Sequence, residues 1–119
     1  MATLTSTGIL HGDGTTVENY VTATRAIFGY GWTGSGGLSM TNLVNNYGGV
    51  ATDTTGVGTA RFSLAAAGYG GDKSIFGYGS NGSGSQTITN LVSNSGVVAT
   101  DNAGIGTVRY ILAAASYSS

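Results

Sequence analysis

Apolar positions in this chain occur in short runs, and glycine, asparagine, aspartate or serine separates one run from the next. Representative runs are AIFGY, MTNLV and RYILAAASY. Runs rich in β-branched and aromatic residues between turn-forming residues are typical of strands. Helix signals are nearly absent, and the Ala triplets are the one helix-compatible element. Because Gly or Ser and then Tyr follow each triplet, we interpret both as closely packed inner strands. The pattern therefore predicts an all-β chain.

The whole pattern occurs twice. Residues 26–69 align with residues 74–117 at a constant offset of 48, and about 27 of the 44 aligned positions are identical. Each copy opens with IFGYG, passes through TNLV and then GVGTAR or GIGTVR, and closes with LAAA. For the second copy we predict four strands, at about residues 61–69, 73–79, 87–93 and 96–100. Four short strands in each repeat are typical of one blade of a β-propeller.

The order R…LAAAGYGGDKSIFGYG…TNLVSNSGVV…R resembles the kelch blade over roughly residues 26–117. The kelch double glycine is here Gly-Tyr-Gly, and the outer-strand tryptophan is missing. The opening MATLTSTGILHGDGT is similar to the start of tail-fibre-like and other virion structural proteins of tailed bacteriophages, particularly those infecting cyanobacteria. The repeat motifs also resemble kelch-like units of large phage proteins. The resemblance implies a non-enzymatic virion protein with kelch-like propeller blades.

Under this interpretation the chain has four parts. Residues 1–24 form an N-terminal attachment segment or strand, residues 25–60 a first, incomplete blade, residues 61–108 a second blade, and residues 109–119 an extra strand. Propellers close with about four to eight blades, so two blades leave apolar edges open. We expect residues 109–119 to complete a blade of a neighbouring subunit, and a homotrimer would close a ring of about six blades. In the alternative, residues 1–24 supply the missing strand within the same chain, which gives a two-sheet sandwich monomer.

Residues 1–24 have two further interpretations. They could add as an edge strand to another virion protein, or they could form a frayed terminus. The start MATLTSTGIL lacks a basic leader and a continuous apolar segment, so we expect synthesis in the host cytoplasm without a signal peptide, followed by incorporation into the virion.

Charged residues make up 8% of the chain, and the formal net charge is -1. The chain therefore has no basic face for nucleic acid, and no apolar run is long enough to cross a bilayer. The absence of cysteine excludes disulfides and thiolate metal sites. We expect the fold to be held by packing alone.

Residues for catalysis are scarce. His11 is the single histidine, and Asp13 lies two positions further on. This pair could act in acid–base chemistry, but a turn with an exposed imidazole is the simpler interpretation. The motifs GxSxG and HExxH and a phosphate loop with its lysine are absent. We therefore predict no catalytic, cofactor or metal site.

Two charged positions repeat at the offset of 48. Arg61 and Arg109 each begin the strand of small residues, and Asp53 and Asp101 precede the glycine-containing loops. An arginine can bind several carbonyl oxygens or a neighbouring carboxylate, so we predict that these four residues are staples between blades. Binding of an anion by the arginines, and a calcium or catalytic role for the aspartates, remain alternatives to staples and simple Asx turns.

Aromatic residues beside flexible polar loops provide a second candidate site. GYGWTGSGG and GYGSNGSGS bring aromatic rings next to hydrogen-bonding side chains, as a shallow sugar-binding pocket requires. The candidate contacts for a glycan or a partner are Tyr30, Trp32, Tyr78 and Asn81. In the alternative, the tyrosines pack between blades and form hydrogen bonds at the rim, and Trp32 is exposed or used at an interface. The leading function is thus a structural virion component, and the alternative is a lectin-like propeller that binds host-surface glycans.

Overall fold

A computed structural model describes residues 24–118, which contain five β-strands in two antiparallel sheets and no helix. The first sheet pairs β1 (Ala26–Gly29) with β2 (Thr41–Val44). The second sheet has the order β3-β4-β5, with β3 at Ala65–Tyr69, β4 at Lys73–Gly77 and β5 at Thr89–Val92. The predicted all-β class is confirmed for this part of the chain. Within it the sheets do not close into a ring.

The two sheets contain the same unit. Ile27 of β1 lies opposite Leu43 of β2, and Ile75 of β4 lies opposite Leu91 of β5, which preserves the register across the offset of 48. β3 closes the first copy in the sequence, but it pairs with β4 of the second copy. The first copy therefore donates its last strand to the sheet of the second copy.

A tight turn joins β3 to β4. Gly70 and Gly71 have φ angles of 63° and 83°, which glycine adopts at little cost because it lacks a Cβ atom. Tyr69 and Lys73 face each other as the last pair of the ladder. The GYGGDK stretch therefore reverses the chain and sets the antiparallel register of β3 and β4.

The predicted outer strand at residues 96–100 does not form a regular strand. The outer segment forms two isolated bridges with β5, through Val98 and Asn102, and Ala99 N donates to Leu91 O at 2.8 Å. Between these bridges the carbonyl oxygen of Ala99 accepts a hydrogen bond from the side chain of Asn90 at 3.1 Å. A side-chain amide thus replaces a backbone donor, which interrupts the ladder.

The last part of the chain repeats the sequence of β3 but has no strand partner in the part that the structure describes. β3 pairs with β4, the strand that begins the second copy, whereas residues 113–117 pair with no strand among residues 24–118. The segment lies along β3 instead: Ile111 N donates to Ser63 O at 2.7 Å, and Ser116 Oγ donates to Gly68 O at 2.5 Å. In both hydrogen bonds donor and acceptor are equivalent positions of successive copies.

The buried apolar core is small and lies between the two copies. It consists of Tyr30, Phe76 and Val92, with Ile27 and Leu64 among the side chains packed against it. Tyr30 belongs to the first copy and Phe76 to the second, and their rings are 5.1 Å apart. Packing of one copy against the other therefore creates the core. The predicted attachment segment, residues 1–24, lies outside the described residues except for its last position.

Candidate functional site

Arg61 is the centre of the junction between the two copies. Its side chain is fully buried. Nη1 donates to the carbonyl oxygens of Tyr78 at 3.0 Å and Ile88 at 2.9 Å, and Nη2 donates to Oδ1 of Asn90. Nε donates to the carbonyl oxygen of Thr59 at 3.2 Å. Since a buried charge is tolerated only when it is hydrogen-bonded, these contacts attach Arg61 firmly to the second copy.

The backbone of the second copy is shaped to receive the arginine. Tyr78 has a φ of 64°, in the left-handed region that non-glycine residues seldom adopt. Its N–H donates to Ile88 O at 2.9 Å, which joins the two residues whose carbonyl oxygens share one nitrogen of Arg61. Tyr30 has the equivalent φ of 61° in the first copy. The equivalent tyrosines of the two copies therefore share this left-handed backbone conformation.

Asp101 is the second polar centre of the junction. It accepts hydrogen bonds from Thr59 Oγ1 at 2.7 Å, from Thr59 N at 3.1 Å and from Asn90 Nδ2 at 2.9 Å. Burial disfavours its carboxylate, but these hydrogen bonds and the nearby Arg61 guanidinium outweigh that effect and hold the pKa of Asp101 below its ordinary value. The ionised carboxylate therefore joins the loop of the first copy to the sheet of the second.

A glycine allows this close approach. Gly58 has a φ of 80°, and a Cβ atom placed on it would collide with Oδ1 of Asp101 and approach Asn90 Nδ2 to 2.8 Å. Gly58 therefore meets two requirements, a left-handed backbone and the absence of a side chain. This contact explains the second glycine of the GVG sequence in the first copy.

Tyr30 completes the junction on its apolar side. Its hydroxyl donates to Val57 O at 3.0 Å, and its ring lies under the Arg61 guanidinium at 4.7 Å and beside Phe76. Burial raises the pKa of Tyr30 above its ordinary value of 10.0, although Arg61 acts in the opposite direction. Tyr30 thus remains neutral and serves as a hydrogen-bond donor.

The equivalent residues of the second copy are arranged alike, but within residues 24–118 they lack the hydrogen-bond acceptors that Arg61 has. Arg109 lies 4.2 Å from the centre of the Tyr78 ring, as Arg61 lies over Tyr30. Arg109 is exposed, and within residues 24–118 its side chain donates only to Thr107 O, at 3.1 Å. The second copy therefore contains an arginine in the same position over a tyrosine ring, but without the amide and carbonyl oxygens that Arg61 binds.

The first copy has the acceptor groups, but among the described residues it lacks the arginine that would bind them. Asn42 Nδ2 donates to Asp53 Oδ1 at 2.8 Å, as Asn90 donates to Asp101. Within the described residues, no arginine donates to Asn42 and no threonine donates to Asp53. The first copy therefore contains an acceptor site of the kind that Arg61 fills in the second.

The four residues predicted as staples fall into two groups. Arg61 and Asp101 lie at the junction, but they do not form a direct ion pair, because Asn90 lies between them and contacts both. Asp53 accepts from Asn42 and the side chain of Arg109 donates to Thr107 O, so within residues 24–118 the side-chain hydrogen bonds of both residues stay in their own copy. The one salt bridge in residues 24–118 is that of Lys73 and Asp72, at 3.1 Å.

The four residues predicted to contact a glycan each interact with different partners. Trp32 is 54% exposed and packs on Phe62 at 4.8 Å between ring centres. Tyr78 donates its hydroxyl to Ile105 O at 2.8 Å, and Tyr30 is buried in the junction. The side-chain oxygen of Asn81 accepts hydrogen bonds from two backbone N–H groups of its own turn. Of these residues, Trp32 has the most accessible apolar surface.

Sequence reasoning missed Asn90, Thr59 and Phe76 as members of the junction. All three are identical to their equivalents 48 residues away, Asn42, Thr107 and Phe28. Identity between copies was therefore an available signal. It did not reveal their roles, since uncharged residues in a strand or loop are usually explained by local structure.

Residues 24–118 contain no cluster of histidine, cysteine and acidic side chains that could hold a metal ion. His11 and Asp13 lie outside this range. In the same range no helix has the length and hydropathy needed to span a membrane.

No protein-family model matches the chain, and no curated protein matches it significantly. Residues 24–118 form an all-β fold of two copies of one sequence repeat, joined at the junction around Arg61.

Proposed function

We propose that this protein is a non-enzymatic structural component of a tailed-phage virion and that it works by assembling with copies of itself. The observation that carries the proposal is that one end of the repeated region has an unpaired strand sequence and the other end has an unpaired sheet edge. Within residues 24–118, residues 113–117 have the sequence of a sheet-forming strand without a strand partner, and β1 pairs with no strand along the edge where β4 pairs with β3. An unpaired strand and an unpaired edge favour β-strand addition between molecules.

The register of that addition follows from the chain itself. Within the chain, Ala65 lies opposite Gly77 and Ala67 lies opposite Ile75. At the offset of 48, Ala113 of one molecule would lie opposite Gly29 of the next, and Ala115 opposite Ile27. The AAASY segment repeats the small residues of AAAGY, so the side chains suit this pairing.

Each molecule would then contribute two kelch-like blades of four strands to a propeller-like ring. A trimer gives about six blades, which is within the usual range for closed propellers. The resemblance of the opening residues and repeat motifs to phage virion proteins supports a place in the tail, the fibre or the capsid decoration. Residues 1–24 would attach the ring to other virion proteins.

The mass of the purified protein in solution tests the assembly. Light scattering should give three times the mass of the single chain, and a truncated chain ending before Arg109 should give the single-chain mass. A well-folded full-length monomer would overturn the ring. If removal of residues 1–24 then unfolded that monomer, the result would support the two-sheet sandwich monomer, in which residues 1–24 supply a strand. The virion assignment requires mass spectrometry of purified phage particles, and absence from washed particles would contradict it.

The second candidate function is recognition of a host-surface glycan. Trp32 favours it, because its exposed ring lies beside a polar turn at residues 33–36. Binding on a glycan array that is lost in Trp32→Ala, but retained in Tyr47→Ala, would support this function. Tyr47 is the control because it is 90% exposed and belongs to a different loop.

A further inference from the structure

We propose that the end of one molecule binds the beginning of another through a copy of the internal junction, with Arg109 of the first molecule donating to Asn42 of the second. This inference rests on the proposed self-association and names the residues that carry it. We call the surface of Tyr78, Ile105, Thr107 and Arg109 the trailing face. We call the surface of Phe28, Asn42, Val50 and Asp53 the leading face.

The polar groups of the two faces are complementary. Inside the chain, Arg61 donates to Asn90 and Thr59 donates to Asp101. The trailing face presents the same donors, Arg109 and Thr107, and both are exposed. On the leading face, Asn42 and Asp53 already have the mutual hydrogen bond that Asn90 and Asp101 share.

The backbone acceptors for Arg109 are also in place. Arg61 binds the carbonyl oxygens of Tyr78 and Ile88. The equivalent residues are Tyr30 and Met40, joined by a hydrogen bond from Tyr30 N to Met40 O at 2.9 Å. Together with Asn42 they form the acceptor site expected for an arginine from a second molecule.

The aromatic residues of the two faces are also complementary. Phe76 packs on Tyr30 and is 4% exposed, whereas its equivalent Phe28 is 63% exposed. In the proposed contact Phe28 of the leading face packs on Tyr78 of the trailing face. Phe28 would also approach Gly77, as Phe76 approaches Gly29. An exposed phenylalanine and its matching tyrosine thus become buried together.

The rim of the contact can be identified in the same way. Val57 and Val98 line one small cavity of about 200 Å³ across the internal junction. Their equivalents are Ile105, which is 87% exposed, and Val50, which is 57% exposed. Burial of these two side chains would remove further apolar surface from water.

The two faces differ from each other, so the contact joins unlike surfaces. Repeated contacts of this kind form a ring if the rotation closes and a filament if it does not. The partner of each face is therefore a second copy of this chain, and two leading faces do not fit together.

A directional cross-linking experiment tests the pairing. The natural chain has no cysteine, so Val50→Cys and Ile105→Cys each provide a single reactive thiol. Distinguishably tagged variants are mixed and treated with a short bis-maleimide. We expect cross-linked dimers that contain one of each variant and few that contain the same variant twice. The matched control mixes Val50→Cys with Asn81→Cys, which places the thiol on an exposed turn outside both faces. Equal cross-linking in the control mixture would overturn the proposed pairing.

Substitution of the polar residues tests their energetic role by sedimentation. Arg109→Ala and Asn42→Ala should each weaken self-association at least about 30-fold, because each leaves a polar group without its partner at the interface. Asn46→Ala is the control, since Asn46 is an exposed asparagine of the same copy outside the leading face. Circular dichroism should show that all three variants remain folded.

The outcomes separate this inference from the proposed function. Natural protein that assembles, with Arg109→Ala and Asn42→Ala assembling equally well, would overturn the arginine contact and leave self-assembly intact. Natural protein that stays monomeric at all concentrations would overturn both.

Discussion

Arg61 and Arg109 are equivalent residues 48 positions apart, and Arg61 is fully buried while Arg109 is exposed. The sequence around them is nearly the same, and each guanidinium lies over the equivalent tyrosine ring. The difference is the presence of a following copy, which supplies Asn90 and two carbonyl oxygens to Arg61. The environment of each arginine is therefore determined by its neighbour in the repeat.

Arg61→Ala should destabilise the single chain far more than Arg109→Ala. Removing Arg61 leaves Asn90 Oδ1 and two carbonyl oxygens without their donor in a buried place, which we expect to cost about 3 kcal/mol. Arg109→Ala removes an exposed side chain and should change the free energy of unfolding by less than about 0.5 kcal/mol. Urea unfolding at low protein concentration, where self-association does not contribute, measures both. If Arg61→Ala lowered the free energy of unfolding as little as Arg109→Ala, Arg61 would not stabilise the junction.

Gly58→Ala should also destabilise the junction, by about 2 kcal/mol, because its φ is positive and the new Cβ would meet Asp101. Gly36→Ala is the matched control, since Gly36 has no atom within 4 Å of an added Cβ and its φ lies outside the left-handed region. The control should be neutral or slightly stabilising, because alanine restricts the unfolded chain. Thermal unfolding of the two variants distinguishes these effects. A Gly58→Ala protein as stable as the control would contradict the close approach of the two copies.

Asp101 should contribute to loss of stability in acid. Its folded pKa lies below the ordinary value of 3.8, so its contribution is present above that value and is lost as the pH falls through the folded pKa. Thr59→Val removes the hydroxyl donor to Asp101. The pKa of Asp101 in the folded state should therefore rise toward 3.8, and the variant should lose less stability in acid. Carboxyl NMR titration of both proteins measures the pKa directly. An unchanged pKa in Thr59→Val would exclude that hydroxyl as a cause of the shift.

The strands of the second sheet were largely predictable from the sequence. Apolar runs between turn residues indicated β3, β4 and β5, and the constant offset indicated two equal units. The outer strand at residues 96–100 was predicted but is reduced to bridges, because the Asn90 side chain takes a carbonyl oxygen that a ladder would use. A strand pattern does not reveal whether a side chain competes with the backbone in this way.

The junction itself was only partly predictable. Repetition singled out Arg61 and Asp101, since charged residues are rare in this chain and these recur. The role of Asn90 between them depends on tertiary distances that the sequence does not contain. The burial of Phe76 and the exposure of Phe28 likewise depend on which copy has a neighbour.

Tyr30→Phe should remove a pH-dependent part of the stability at the alkaline end. The Tyr30 hydroxyl donates to Val57 O, and burial raises its pKa above 10.0, so the folded state binds this proton more tightly than the unfolded state. That contribution is present below pH 10.0 and is lost as the pH rises through the folded pKa. At neutral pH, Tyr30→Phe should cost about 1 kcal/mol through the missing hydrogen bond, and above pH 10.0 its stability should fall less steeply than that of the natural protein. Tyr47→Phe is the control, because Tyr47 is 90% exposed. Urea unfolding from pH 7 to pH 11 measures the difference, and parallel alkaline profiles for the natural protein and Tyr30→Phe would show that Tyr30 ionises as freely in the folded chain as in the unfolded one.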